Sequence, residues 1–587
     1  MINFKIKEAF YIDDKPVKLI SGAVHYFRTM PGAWKERLYN LKAMGCNTVE
    51  TYIPWNLHEP KKGEYNFQGI ADIEEFIEVA TEMELYIILR PTPYICAEWE
   101  FGGLPAWLLD GNYGRIRSLD KAFLKAVDDY YSVLIPKLTP YQFDQGGNVL
   151  MMQIENEFGS FSNNKEYLKE IKKIMEKYGV TVPLFTSDGG WKAALEAGSL
   201  VEEGVLATAN FGSDAENNFN ALAAHQPNKP LMCMEFWDGW FNDWGVEIIR
   251  RDPQETAVEV KKVLEQGSIN FYMFHGGTNF GFYNGASDKF THTLPQITSY
   301  DYDAPLTEWG TPTEKFYAIQ KVIKEMVPEA KTFEPMYPSQ SKFPTVNVKN
   351  KTSLFSNLEH LEIETVKNDY PLTMEKIGQS YGYILYEHKV KGPHLGDGIK
   401  LRNVHDRAYI YVNHEFVAIK DYTNMSEPLN LKFPYEMNTL SILVENTGRN
   451  NYGPELIAES QQKGILGGVT DGLHFMAHWT HTPLEFVNEP QVNYENSYNP
   501  KQPSFYNFEF ELAEVDNTFI DCSRYGKGVI YVNGFHIGRY WDIGPTLYLY
   551  VPKELLNKGK NSITVFETDG VEVKELVFSE KPIYKDM

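Results

Sequence analysis

Between residues 18 and 325 the chain alternates short apolar runs with amphipathic stretches, and it does so eight times. The apolar runs lie at 18–25, 48–54, 85–91, 149–155, 183–187, 204–211, 230–235 and 269–275. Between them the period changes. In Lys165 to Tyr178 the apolar residues Leu168, Ile171, Met175 and Tyr178 recur at spacings of three and four, which buries one helical face. Residues 72–84 and 254–266 read the same way. Strands that are apolar throughout and joined by helices belong to a parallel sheet covered on both faces. Eight of them predict a closed (β/α)8 barrel. An open doubly wound sheet shares the alternation, but no GxGxxG or GxxxxGK[ST] loop follows the first run.

Near residue 330 the texture shifts. Glu334 to Ser339, Pro-containing and polar, reads as a linker. Beyond it come short runs of period two with Gly, Asn and Asp between them. Two are alike: Ala408-Tyr409-Ile410-Tyr411-Val412 before Asn413-His414, and Val529-Ile530-Tyr531-Val532 before Asn533-Gly534. These are hairpin signals of antiparallel sandwiches. The expected fold class is therefore α/β plus all-β. A TIM barrel occupies 1–330, a first jelly-roll-like β-sandwich with its linker 331–490, and a second 491–587.

Composition narrows the function classes. A net charge of −23 disfavours a polyanionic partner such as nucleic acid and leaves a neutral small molecule or glycan. Aromatic residues make up 14% of the chain, enough for both cores and sugar-stacking surfaces. Cys46, Cys96, Cys233 and Cys522 are far apart without a CxxC pair, so free thiols are expected rather than disulfides or a zinc site. The first residues lack the apolar core of a signal peptide, and no run reaches the 18 or so apolar residues of a membrane span. The expectation is a cytoplasmic chain, or one exported by another route, that does not enter a membrane.

Two segments carry the chemistry: Gln153-Ile154-Glu155-Asn156-Glu157, and Met234-Glu235-Phe236-Trp237-Asp238-Gly239-Trp240. Each presents a glutamate where an apolar run ends. On the strand count Glu157 ends strand four and Glu235 ends strand seven, at the barrel face where active sites form. A single such glutamate would be an ordinary polar strand end. Two carboxylates over one pocket, one kept protonated and one ionised, are what glycosidic bond cleavage requires. A separation of about 5–5.5 Å would mean retention of configuration, and about 6.5–9.5 Å inversion.

At this point the chain resembles glycoside hydrolase family 35. The resemblance rests on Ser21-Gly22-Ala23-Val24-His25-Tyr26, on Thr51 to Pro60 (TYIPWNLHEP), on Arg90 to Glu100 (RPTPYICAEWE) and on Gly102 to Leu108 (GGLPAWL). It continues through Gly276 to Phe280 (GGTNF), Ser299 to Leu306 (SYDYDAPL), Val532 to Phe535 (VNGF) and Gly538 to Trp541 (GRYW). It implies an exo-acting retaining β-galactosidase with a galactose-binding-like last domain, closest to bacterial members that favour β-1,3-linked galactosides. Glu157 would be the acid/base, Glu235 the nucleophile, and Asn156 a donor to the sugar 2-hydroxyl. Tyr52, Cys96, Ala97 and Glu98 would line the far end of the galactose pocket, Glu98 binding two hydroxyls. Tyr302, Tyr300 and Tyr272 would approach Glu235 or the ring.

Trp240, Trp244 and Tyr452 are expected to grip the second sugar, with packing between domains as the competing role for the Trp pair. His25, His58 and His275 read as structural hydrogen-bonders. No HExxH, GxSxG or zinc-spaced Cys/His set occurs, and a two-carboxylate reaction needs no metal or cofactor. A β-glucosaminidase would want an acidic partner beside Asn156, and none is evident. A glycan-binding module on a dead scaffold would be free to lose one of the two glutamates. The β-domains leave a homodimer open.

Overall fold

The computed structural model describes residues 3–289 and 292–586. Its eight parallel strands close into a barrel. They are β1 (Ile20–Val24), β2 (Thr48–Tyr52), β3 (Tyr86–Arg90), β4 (Val149–Asn156), β5 (Leu184–Gly189), β6 (Leu206–Asn210), β7 (Met232–Trp237) and β8 (Ser268–His275). Each falls on one of the expected apolar runs. Almost every residue in them is buried, because the helices cover the outside and side chains fill the inside. One helix follows each strand: α1 (Pro31–Met44), α2 (Ile73–Glu82), α3 (Lys121–Leu138), α4 (Lys165–Lys177), α5 (Lys192–Gly198), α6 (Ala215–His225), α7 (Pro253–Gln266) and α8 (Glu314–Met326). Caps set several starts. Asp252 accepts from the amides of Gln254 and Glu255 ahead of Pro253, and Asp72 accepts from Glu75.

A three-stranded meander (Phe4–Ile6, Phe10–Ile12, Lys15–Val17) precedes the barrel. Phe4, Phe10 and Ile12 pack with Ile88, Leu150, Phe185, Leu206 and Met232, residues toward the amino ends of the strands. The meander plugs that end, and the carboxyl end is left for a site.

After α8 the chain runs along α1, where Asn40 exchanges hydrogen bonds with the backbone of Met336. The first sandwich pairs a six-stranded sheet with a four-stranded one, and strand Leu429–Phe433 alternates buried and exposed residues as period two requires. The last sandwich sets a five-stranded sheet against a three-stranded one. Both predicted hairpins form. Asn413 and His414 (φ 51° and 65°) turn the first, and Asn533 and Gly534 (φ 49° and 86°) the second.

The contiguous 331–490 unit needs correction. Asn350–Ser353 pairs with Ser504–Leu512, and Val346–Asn347 with Glu575–Leu576, so the segment after the linker belongs to the last sandwich. Such pairing across more than 150 residues has no local signal. Buried ion pairs lock the units together. Arg449 of the first sandwich reaches Glu100 of the barrel and Glu375, each at 2.5 Å, and Arg539 of the last reaches Glu445 of the first at 2.7 Å.

Candidate active site

The carboxyl ends of β2, β3, β4, β6 and β7 deliver Tyr52, Arg90, Asn156, Asn210 and Glu235 to one place. Glu235 lies inside β7, two residues before its end, rather than at the terminus the sequence suggested. Its Oε1 accepts from the Tyr52 hydroxyl at 2.5 Å and from Arg90 at 2.8 Å, and its Oε2 accepts from the Trp237 indole N–H at 3.2 Å. Three donors around one carboxyl suit an ionised acceptor. The Arg90 guanidinium is held in turn by Gln153 and by the Asn156 amide oxygen, and it lies over the Tyr52 ring at 3.9 Å.

Glu157 follows β4 in a left-handed turn (φ 44°), which lifts its side chain out of the strand. Its amide donates to the Ser187 carbonyl at 3.0 Å. Its Oε1 accepts from Asn210 Nδ2 at 3.0 Å, and Ser187 Oγ fixes that amide by donating to its oxygen at 2.6 Å. Burial, then the negative charge of Glu235, raise the Glu157 pKa. Both glutamates line the same cavity of about 540 Å³. The two carboxyls therefore occupy opposite electrostatic settings, one ringed by donors and the other pushed toward its protonated form.

Cys96, Ala97 and Glu98 line one side of this cavity. All three have left-handed backbones (φ 57°, 51° and 49°), a run of strain of the kind that collects at functional sites. Arg28 holds the turn by donating to the Ala97 carbonyl at 2.6 Å. Glu98 accepts from the Tyr300 hydroxyl, and burial pushes its carboxyl up to about 7 against the opposing effects of that bond and of Arg28. Tyr272 and Tyr302 line the cavity, whereas Tyr300 stands behind Glu98 with its ring over Arg28. Gly239 is required here, since a Cβ would come within 1.7 Å of the Tyr302 carbonyl oxygen.

Two expectations change. Tyr52 sits against Glu235 rather than at the far end of the pocket. Asn156 stands behind the cavity wall, its oxygen taken by Tyr52 and Arg90 and its Nδ2 donating to the Ile95 carbonyl at 3.3 Å.

Trp240 and Tyr452 reach the cavity mouth, 38% and 45% exposed. Tyr452 arrives there because its loop is stitched to the barrel. The Tyr94 hydroxyl donates to the Asn451 carbonyl at 2.5 Å, and Gln296 donates to the Asn451 side chain at 2.9 Å. Trp244 does not reach it. It is 2% exposed, its ring lies 6.3 Å from that of Trp541 in the last sandwich, and its amide donates to Pro295. For this residue the packing role holds and the acceptor role is withdrawn.

The sequence reading missed Arg90, Asn210, Trp237 and Trp191, the last 52% exposed on the cavity rim. Asn210 ends an apolar run as the two glutamates do, and Trp237 shares the face of Glu235 at a spacing of two, so the same rules would have found both. His25, His58 and His275 are buried and hydrogen-bonded, to Arg28, Tyr26 and Arg37 respectively. All four cysteines are free, and Cys96 alone lines the cavity.

Comparison with known proteins gives three matches along the chain. The family model described as glycosyl hydrolases family 35 matches residues 9–326. The first all-β domain of β-galactosidase matches 371–485, and its galactose-binding domain matches 503–561. Relatives match nearly end to end. Beta-galactosidase 17 of Arabidopsis thaliana is 36% identical over 97% of this chain and 87% of its own length. Beta-galactosidase of Homo sapiens is 36% identical over 98% and 90%. Beta-galactosidase-1-like protein 3 of Mus musculus is 37% identical over 96% and 86%.

Proposed function

Since the chain belongs to glycosyl hydrolase family 35 and is a β-galactosidase, we infer that it removes terminal non-reducing β-galactosyl residues by double displacement. The observation that carries this reading is the contrast between Glu157 and Glu235 across one cavity. Glu235 attacks the anomeric carbon while Glu157 gives its proton to the glycosidic oxygen. The C–O bond breaks, and the aglycone leaves with that proton. Glu235 is now an uncharged ester, so the repulsion that kept Glu157 protonated is gone. Glu157 then takes a proton from water, which attacks the anomeric carbon and frees Glu235. Asn210 holds Glu157 in place for both proton transfers. Arg90 and Tyr52 hold the nucleophile, and Asn156 fixes both of them from behind the cavity wall.

Glu98 accepts from galactose hydroxyls at the far end, where the axial 4-hydroxyl distinguishes galactose from glucose. Trp240, Tyr452 and Trp191 ring the exit and grip the second sugar. This supports a preference for β-1,3-linked galactosides such as Gal-β-1,3-GlcNAc. Proton NMR of the first sugar released tests the mechanism. β-Galactose appearing before mutarotation is the expected result, and α-galactose appearing first would overturn double displacement.

A further inference from the structure

A second cavity of about 390 Å³ opens beside the first, where the barrel meets both sandwiches. Asp288 and Glu455 line both cavities, so the two adjoin across these side chains, beside the Trp240 and Tyr452 mouth. Its walls come from all three domains: Trp244 and Pro295 from the barrel, Tyr422 and Arg407 from the first sandwich, and Trp541 from the last. The loop carrying Trp244 is tied to the last sandwich by the Gly245 amide, which donates to the Gly544 carbonyl at 2.7 Å.

The chemistry of the lining disfavours an anionic ligand. Arg407 already serves Asp421 at 3.0 Å, Asp569 at 3.1 Å and the Tyr409 hydroxyl at 3.1 Å. Asp406 is held by Lys463 at 2.8 Å and by the Thr447 amide at 2.9 Å. These groups are already engaged, and with Asp288 and Glu455 also in the wall the lining offers an anion little. It does offer aromatic surface and hydroxyl-sized polar partners. Tyr422 is 55% exposed, with one ring face on His292, and the Trp541 indole lies beneath the Arg407 guanidinium at 5.2 Å. Ser460 contributes a buried hydroxyl that has no partner among the described residues. Aromatic faces with polar groups between them are what an uncharged sugar ring binds.

The geometry points to a distal sugar subsite. The second cavity takes the next sugar of the aglycone, so the enzyme is built for β-galactosides carried on chains of two or more further sugars. This rests on the reading above, in which galactose fills the barrel cavity and the aglycone leaves past Trp240.

The test compares kcat/KM of the full-length enzyme on three substrates: an aryl β-galactoside, a Gal-β-1,3-linked disaccharide, and a tetrasaccharide ending in that disaccharide. The tetrasaccharide should exceed the disaccharide by about five- to tenfold, the range that one or two aromatic contacts supply. Tyr422→Ala, at an exposed position, and the conservative Trp541→Phe should each remove that advantage while leaving the aryl galactoside unchanged. Equal rates on the di- and tetrasaccharide, or variants that lower all three substrates alike, would overturn the subsite. Failure of the unaltered enzyme to turn over the aryl galactoside would instead overturn the galactosidase reading beneath it.

Discussion

Glu157 and Glu235 are the same residue type, and on the proposed mechanism it is their surroundings that divide their work. Each surrounding is separable by mutation. Glu235→Gln removes the charge beside Glu157, so the Glu157 carboxyl should titrate at lower pH than in the unaltered protein. Carbon NMR of the labelled carboxyl reads that midpoint, and an unmoved midpoint would mean burial alone sets it. On the proposed mechanism the protonated form of Glu157 is the competent acid. Its raised pKa therefore appears as the alkaline limb of kcat/KM, with activity falling as pH rises through it. Trp240 belongs at the same scale. Exposed at the mouth and packed edge-on to Trp237 (5.9 Å, 87°), it should matter to the second sugar and little to galactose. Trp240→Ala should lower kcat/KM on a disaccharide about tenfold while sparing an aryl galactoside. Equal losses on both would remove the acceptor role.

The barrel strands show what one-dimensional pattern does and does not reveal. All eight were legible, because a strand buried on both faces has to be apolar along its length. Glu157 was legible too, since barrel geometry sends strand ends to one face, although Arg90 and Asn210, which end strands at that same face, were passed over. What stayed hidden was who touches whom across strands. Tyr52 against Glu235, and Ser187 orienting Asn210 toward Glu157, depend on register, which leaves no trace in spacing. Trp244 was misplaced for a related reason. Its loop is aimed by Gly544, some 300 residues away. Glu50 on β2 is a further case, fully buried beneath Arg90, its Oε1 3.9 Å from that guanidinium without a hydrogen bond and its carboxyl pushed up to about 7 by burial. A carboxyl whose folded pKa is raised stabilises the fold fully below its ordinary value of 4.5 and loses that contribution as pH rises toward 7. Glu50→Gln has no such loss. Its stability relative to the unaltered protein, read from thermal unfolding, should improve between pH 5 and 7.5 by on the order of 3 kcal/mol at most. A pH-independent difference would contradict this.

Across the whole molecule, the sandwiches do more than follow the barrel. The first brings Asn451 and Tyr452 to the cavity, and Arg449 anchors that loop between two fully buried carboxylates. Arg449→Ala would leave Glu100 and Glu375 unpaired, costing about 3–5 kcal/mol. Calorimetry should show the loss, and activity on disaccharides should fall with it. Full activity with an unchanged Tm would mean the anchor is dispensable. The three domains, the plugged amino end and the pinned loop all converge on one claim, that Glu235 forms a covalent bond to galactose. Trapping the intact enzyme with an activated 2-fluoro-β-galactoside and weighing its peptides tests that claim most directly. One added fluorogalactosyl mass is expected, on the peptide containing Glu235. A label on any other residue, or none while the enzyme still turns over galactosides, would contradict it.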